Sequence, residues 1–259
     1  MIKRRVVLFF VSFFALQSMM ILCAQSPKTI HVMVALCDNT YQGIVKVPKA
    51  IGNGQDPGNN LYWGCAYGIR TFFKKSANWK EIKSYKVNNT ILERTVFKHK
   101  NKNYYLIADA YDGRYIKNCT IDFLEACAGI EKNTLVVNDE QVNLNGGADL
   151  VAYIGHNGLM DFSLANVYQN KDGKKRDAII LACASRQYFT PFLKSAGAKP
   201  LLWTTHLMAP EAYTLHDALA TYMAGGTDAA VRESAASAYS KYQKCKISAA
   251  RKLLVTGFE

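Results

Sequence analysis

The chain has 259 residues and a formal net charge of +12, with 32 Lys and Arg against 20 Asp and Glu. That length buries a large core as one domain, or as one domain with an embellishment. The basic residues are scattered, in clusters no longer than Lys98-His99-Lys100 and Lys174-Lys175-Arg176, which describes a solvated basic surface and argues against a nucleic-acid site.

The N-terminus reads Met1-Ile2-Lys3-Arg4-Arg5, then runs apolar apart from Ser12 from Val6 to Leu16 and, with two polar interruptions, on to Leu22. A basic start, a short apolar core and the small-residue site Cys23-Ala24 predict a secretory signal peptide, residues 1–24, cut after Ala24. The strongly apolar core is short for a membrane anchor. Lipidation of Cys23 is disfavoured because the bulky Leu22 precedes it. Residues 25–259 are then one exported domain, periplasmic or secreted, with no second membrane-length apolar stretch and hence no span after cleavage. Six cysteines remain in it, Cys37, Cys65, Cys119, Cys127, Cys183 and Cys245. An oxidising compartment permits disulfides among them. Their spacings match no CxxC or CxxC…HxxxH pattern, which argues against zinc.

Thr29 to Leu36 is a β-branched apolar run that predicts a buried first strand. A Gly- and Asn-rich loop, Gly52 to Asn60, follows, and then a helix from about Leu61 to Lys75. Ile91–Lys98 and Tyr104–Tyr111, separated by Lys100-Asn101-Lys102-Asn103, predict two strands joined by a polar turn. Cys119 to Gly129 predicts a helix ending at glycine. Asp149–Ile154 and Asp177–Ala182 are apolar without alternation, as in strands covered on both faces. Helices are expected at Ser185–Ala196 and Pro210–Ala224, flanking a strand at Pro200–Thr204, and the Ala-rich tail from Asp228 to Leu254 holds helical spacing. Strands alternating with helices predict an α/β fold with a doubly wound, mostly parallel sheet, whose working face lies at the carboxyl ends of the strands.

His156 and Cys183 each stand just beyond an apolar strand on that edge. A thiol becomes a nucleophile when a base takes its proton, and imidazole is the side chain suited to do so near neutral pH. Adjacent parallel strands lie about 5 Å apart, so side chains at neighbouring strand ends can flank one scissile carbonyl. The two blocks are Val151-Ala152-Tyr153-Ile154-Gly155-His156-Asn157-Gly158 and Ile179-Ile180-Leu181-Ala182-Cys183-Ala184-Ser185. They resemble the signature of the caspase-like peptidases, the group that includes caspases, legumain, gingipains, clostripain, separase and the CHAT domains. The interval between His and Cys is closest to that of the separase and CHAT type.

The resemblance implies a caspase-like fold and a cysteine endopeptidase, in which Cys183 attacks a peptide carbonyl and His156 protonates the leaving amine. It also implies an oxyanion site made of backbone N–H groups of Asn157, Gly158 and Cys183. In the family a glycine directly follows the histidine, whereas here Asn157 stands there and the glycine is displaced to Gly158. Asn59 and Asn60 of the glycine-rich loop, Arg186 three residues after Cys183, and His206 at a further strand end are candidate substrate contacts. Each also has a plain structural alternative, as loop, helix anchor or helix cap.

No phosphate cradle, EF-hand loop or GxSxG elbow is present, and neither a cofactor nor a metal is implied. The expected partner is a peptide or protein substrate, and oligomeric state is left open. The rival expectation is a catalytically inactive binding or scaffold module on the same fold, and a third is a small-molecule hydrolase or transferase using the same thiol.

Overall fold

The computed structural model of the chain describes residues 26–258; the expected signal peptide and Cys23 lie outside them. Strand β1 (Lys28–Ala35) follows from the first apolar run and takes the middle of the sheet, with β4 (Tyr104–Tyr111) on one side and β7 (Leu150–Ile154) on the other, both parallel to it. Beyond β7 lie β8 (Asp177–Leu181) and β9 (Lys199–Thr204), again parallel. The antiparallel strands β2 (Trp79–Tyr85) and β3 (Ile91–His99) extend the β4 side, and the short antiparallel β10 (Leu254–Val255) closes the β9 side. The order across the eight-stranded sheet is β10-β9-β8-β7-β1-β4-β3-β2. The chain is therefore α/β, with a mixed, largely parallel sheet.

Alternation along each central strand divides the core in two. Ile30, Val32 and Val34 of β1, with Leu150, Ala152 and Ile154 of β7, pack under α1 (Ile69–Lys75), α4 (Ala212–Met223), α5 (Asp228–Gln243) and α6 (Ile247–Leu253). Met33, Val151, Tyr153 and Ile180 point the other way, under α2 (Ile116–Cys127) and α3 (Ser185–Ala196). A side hairpin, β5 (Lys132–Val137) and β6 (Glu140–Asn145), covers the second face over β3 and β4 through Val137 and Val142. Both sheet faces are thereby removed from water, which is why β7 and β8 read as unbroken apolar runs.

One polar cluster interrupts this interior. Asp109 of β4 is fully buried and accepts from the Arg94 guanidinium through both oxygens at 2.6 Å. It also accepts from His31 Nε2 at 3.0 Å, while His31 Nδ1 takes the Asn145 N–H, so the imidazole is neutral and donates to the carboxylate. Burial opposes ionisation of Asp109, but the bonds from Arg94 and His31 outweigh it and hold the carboxyl below its ordinary range.

Several local expectations are corrected. The helix expected from Leu61 begins only at Ile69. The segment before it is held in turns by the buried Asn60, whose Oδ1 accepts the Cys37 and Tyr62 amides. The C-terminal helix is two: Lys244 adopts φ +51° and ends α5, and α6 starts at Ile247. β2, β10 and the β5–β6 hairpin were not expected. The first is a half-buried edge strand of mixed polarity, and the hairpin turns at Asn138-Asp139, both at positive φ, the geometry that tight hairpins favour. The cysteines from Cys37 to Cys245 are all free thiols, and among the described residues no helix is long and apolar enough to cross a membrane.

Removing the carboxylate of Asp109 strands a buried guanidinium. Asp109→Ala is expected to lose about 3–5 kcal/mol of stability, measured by urea unfolding. Because the folded-state carboxyl titrates below its unfolded value, its contribution is complete above the unfolded range and fades as pH falls through the folded one. The wild-type urea midpoint should therefore drop on acidification below about pH 4, with a shallower drop in Asp109→Asn. Equal slopes would show that the cluster does not contribute.

Candidate functional site

Ile154 of β7 and Leu181 of β8 are register partners, and His156 and Cys183 each lie two residues beyond them at the carboxyl edge. The Gly155 N–H still donates to Leu181 O at 3.2 Å, so the two chains diverge only after this point. Gly155 has φ +136°, and a Cβ there would meet Ala35 O at 2.6 Å. Only glycine carries the chain over the end of β1 at this place.

The imidazole of His156 is almost fully buried and its Nε2 bonds Asp161 Oδ2 at 2.8 Å. Asp161 is returned to the histidine by a single 3-10 turn, Gly158–Met160, which Asn157 caps by accepting the Leu159 N–H. The same carboxylate oxygen takes the Gly43 N–H at 2.9 Å, and a Cβ at residue 43 would sit 2.4 Å from Asp161 Oδ1. With Asp161 accepting, a neutral His156 donates from Nε2 and presents Nδ1 as a base. Nδ1 has no partner among the described residues.

Cys183 is half-buried, and its Sγ receives the Met208 N–H at 3.4 Å. The next residue, Ala184, adopts φ +47°, ψ +34°, an uncommon conformation for a residue with a Cβ. Its N–H donates to His206 O, and Ser185 locks to Thr204 through its amide and hydroxyl. These bonds hold the sharp turn between β8 and α3 against the end of β9. Across the gap, Asn157 Nδ2 donates to Cys183 O at 2.7 Å, tying the histidine loop to the cysteine loop.

His156 and Cys183 line one pocket of about 250 Å³, walled by Tyr62, Ile44, Met208 and Pro210. Tyr62 is itself buried. Pockets of about 430 Å³, beneath the β5–β6 hairpin, and 690 Å³, beside the Gly52–Asn60 loop, are larger but contain neither His nor Cys. Among the described residues no three His, Cys, Asp or Glu side chains converge as metal ligands.

Of the expected oxyanion donors, the amides of Asn157 and Cys183 have no acceptor among the described residues. The Gly158 N–H instead faces the hydroxyl of buried Tyr153, which donates onward to His156 O at 2.7 Å. None of the four expected substrate contacts lines the pocket. Asn60 is a buried loop anchor, and Asn59 is engaged with Asp56 in the neighbouring pocket. Arg186 reaches Phe258 O on the α3 side, and the His206 ring bonds Thr205 Oγ1. Asp161 and the apolar wall were not expected. Asp161 had a signal in its position five residues after His156, but loops 39–47 and 205–210 meet the site only through the fold.

Burial pushes the Cys37 thiol up to about 11 and raises those of Cys119 and Cys127 as well, and a protonated, enclosed thiol is inert. Iodoacetamide on the native protein at neutral pH is expected to alkylate Cys183 at least about 10²-fold faster than these three, read by peptide mass spectrometry. Comparable rates at all four would remove the case for a distinctive thiol. No protein-family model, curated protein or solved structure matches the chain.

Proposed function

We propose that the chain is an exported cysteine endopeptidase of the caspase-like kind. The observation that carries this reading is that His156 and Cys183 stand at equivalent positions beyond paired strand ends and line one pocket, with the outer imidazole nitrogen anchored by Asp161.

In this reading His156 Nδ1 takes the thiol proton and Cys183 Sγ bonds the peptide carbonyl carbon, sending an electron pair onto the oxygen. The amides of Cys183 and Asn157 receive that charge, an interaction worth about 10²–10³ in rate per donor elsewhere. The C–N bond then breaks as His156 returns the proton to the leaving nitrogen, leaving a thioester on Cys183. Water, deprotonated by His156, adds to the thioester and releases the acid and the thiol. Asp161 acts through the histidine, holding its tautomer and ring plane, and is a positioning residue. The N-terminal signal peptide would deliver the domain to the periplasm or the medium.

The second reading, a non-catalytic binding module, is favoured by one feature. The glycine expected directly after the histidine is displaced to Gly158, and Asn157 stands in its place.

The purified mature protein, given a diverse peptide mixture under reducing conditions, is expected to generate new termini detectable by mass spectrometry. Cys183→Ala and His156→Ala should lower cleavage by at least about 10³-fold. Termini common to wild type and Cys183→Ala would overturn the peptidase reading, and absence of cleavage by wild type would favour the binding module. Asp161→Asn should lower kcat by about 10²-fold or more with little change in KM, and a change in KM alone would deny it the positioning role.

A further inference from the structure

We infer, resting on the peptidase reading, that the pocket beside the dyad selects an uncharged, apolar side chain on the acyl side of the scissile bond. The acyl-side residue is the one whose carbonyl becomes bonded to Sγ, so its side chain is held nearest to Cys183. What surrounds that position is apolar. Ile44 and Val45 come from one loop, Leu207, Met208 and Pro210 from another, and Met160 from the turn after His156. No Asp, Glu, Lys or Arg lines the pocket.

A charged side chain entering such a pocket would lose water and find no opposite charge, which is costly. The acidic groups nearby are already committed. Asp161 Oδ2 is taken by His156 and Gly43, and Glu211 Oε2 by the Tyr213 hydroxyl and Gln243. Arg186, which might have matched an acidic residue, turns to Phe258 O.

Exposure points the same way. Val45 is 89% exposed, Leu207 71% and Met160 42%, so three large apolar side chains stand in water around the mouth of one small pocket. Clustered exposed apolar surface marks a binding site rather than a folding requirement. The two walls are also fastened to the reacting groups. The Gly43 N–H holds the Ile44–Val45 loop to Asp161, and the Met208 N–H holds the other loop to Cys183 Sγ. Apolar walls and reactive atoms therefore keep a fixed relation, as a specificity site requires.

The test uses three peptidyl acyloxymethyl ketones identical except for Leu, Arg or Asp next to the ketone, with iodoacetamide as a thiol control. In each, Sγ displaces the carboxylate from the methylene carbon, forming a thioether and releasing the acid. Intact-mass kinetics on wild type and Cys183→Ala give the rate at Cys183. The Leu probe is expected to react about tenfold or more faster than the Arg and Asp probes. Leu207→Asp, at an exposed position on which the core does not depend, is expected to narrow the gap between Leu and Arg. Arg or Asp reacting as fast as Leu would overturn the apolar subsite and leave the cysteine nucleophile standing. Failure of all three probes at a Cys183 that iodoacetamide does modify would overturn the peptidase reading and the subsite with it.

Discussion

The burial of both faces of the central sheet is the constraint from which the rest of this molecule follows. A strand covered on each side must be apolar at every position or must pair what is polar, so β7 and β8 are apolar but for Tyr153, whose hydroxyl donates to His156 O, and Asp177 at the start of β8, which accepts from the Tyr222 hydroxyl. Chemistry is displaced to the strand ends, where the backbone leaves the ladder and side chains regain access to water. His156 and Cys183 are the first such residues beyond β7 and β8. Inside the sheet, the buried Asp109 is tolerated because Arg94 and His31 surround it with donors, and the His31 ring is in turn oriented by the Asn145 amide from the covering hairpin.

The site is assembled from loops, and each loop is held by a few specific bonds. Asn157 links the histidine and cysteine turns through Cys183 O, Asp161 links the histidine to the 39–47 loop, and Met208 links the 205–210 loop to the sulfur. A loop carries high conformational freedom, and ordering it is costly. Here the groups that fix the loops are the same groups that surround His156 and Cys183, so ordering the pocket walls and fixing these two side chains are one process. The left-handed Ala184 belongs to this arrangement, its strained turn held by His206 O on one side and Ser185–Thr204 on the other.

Asn157 and Gly158 divide the local backbone into two functions. The Asn157 position keeps a free amide, and its side chain supports the cysteine loop, while Gly158 turns its amide inward to Tyr153. A side chain next to the histidine therefore replaces plain flexibility with a cross-link.

By itself the sequence determined the strands with the strongest patterns, the mostly parallel character of the sheet and the edge at which His156 and Cys183 stand, because continuous β-branched runs and their order constrain which elements can be buried together. His156 and Cys183 were legible for the same reason, each directly following such a run. Only the tertiary structure decided which residues meet them. Asp161, Ile44, Val45, Leu207 and Met208 come from turns whose paths depend on long-range bonds such as Gly43 to Asp161 and Met208 to Cys183. Asn59, Asn60, Arg186 and His206 lay near the right edge in sequence and turned elsewhere, since a loop side chain takes whichever hydrogen-bond partner the fold places closest. The edge strand β2 and the β5–β6 hairpin escaped the pattern because their half-exposed faces carry mixed polarity. A periodic pattern records burial on one face, whereas a loop's position is set by contacts between residues far apart in the chain, and no local pattern encodes those.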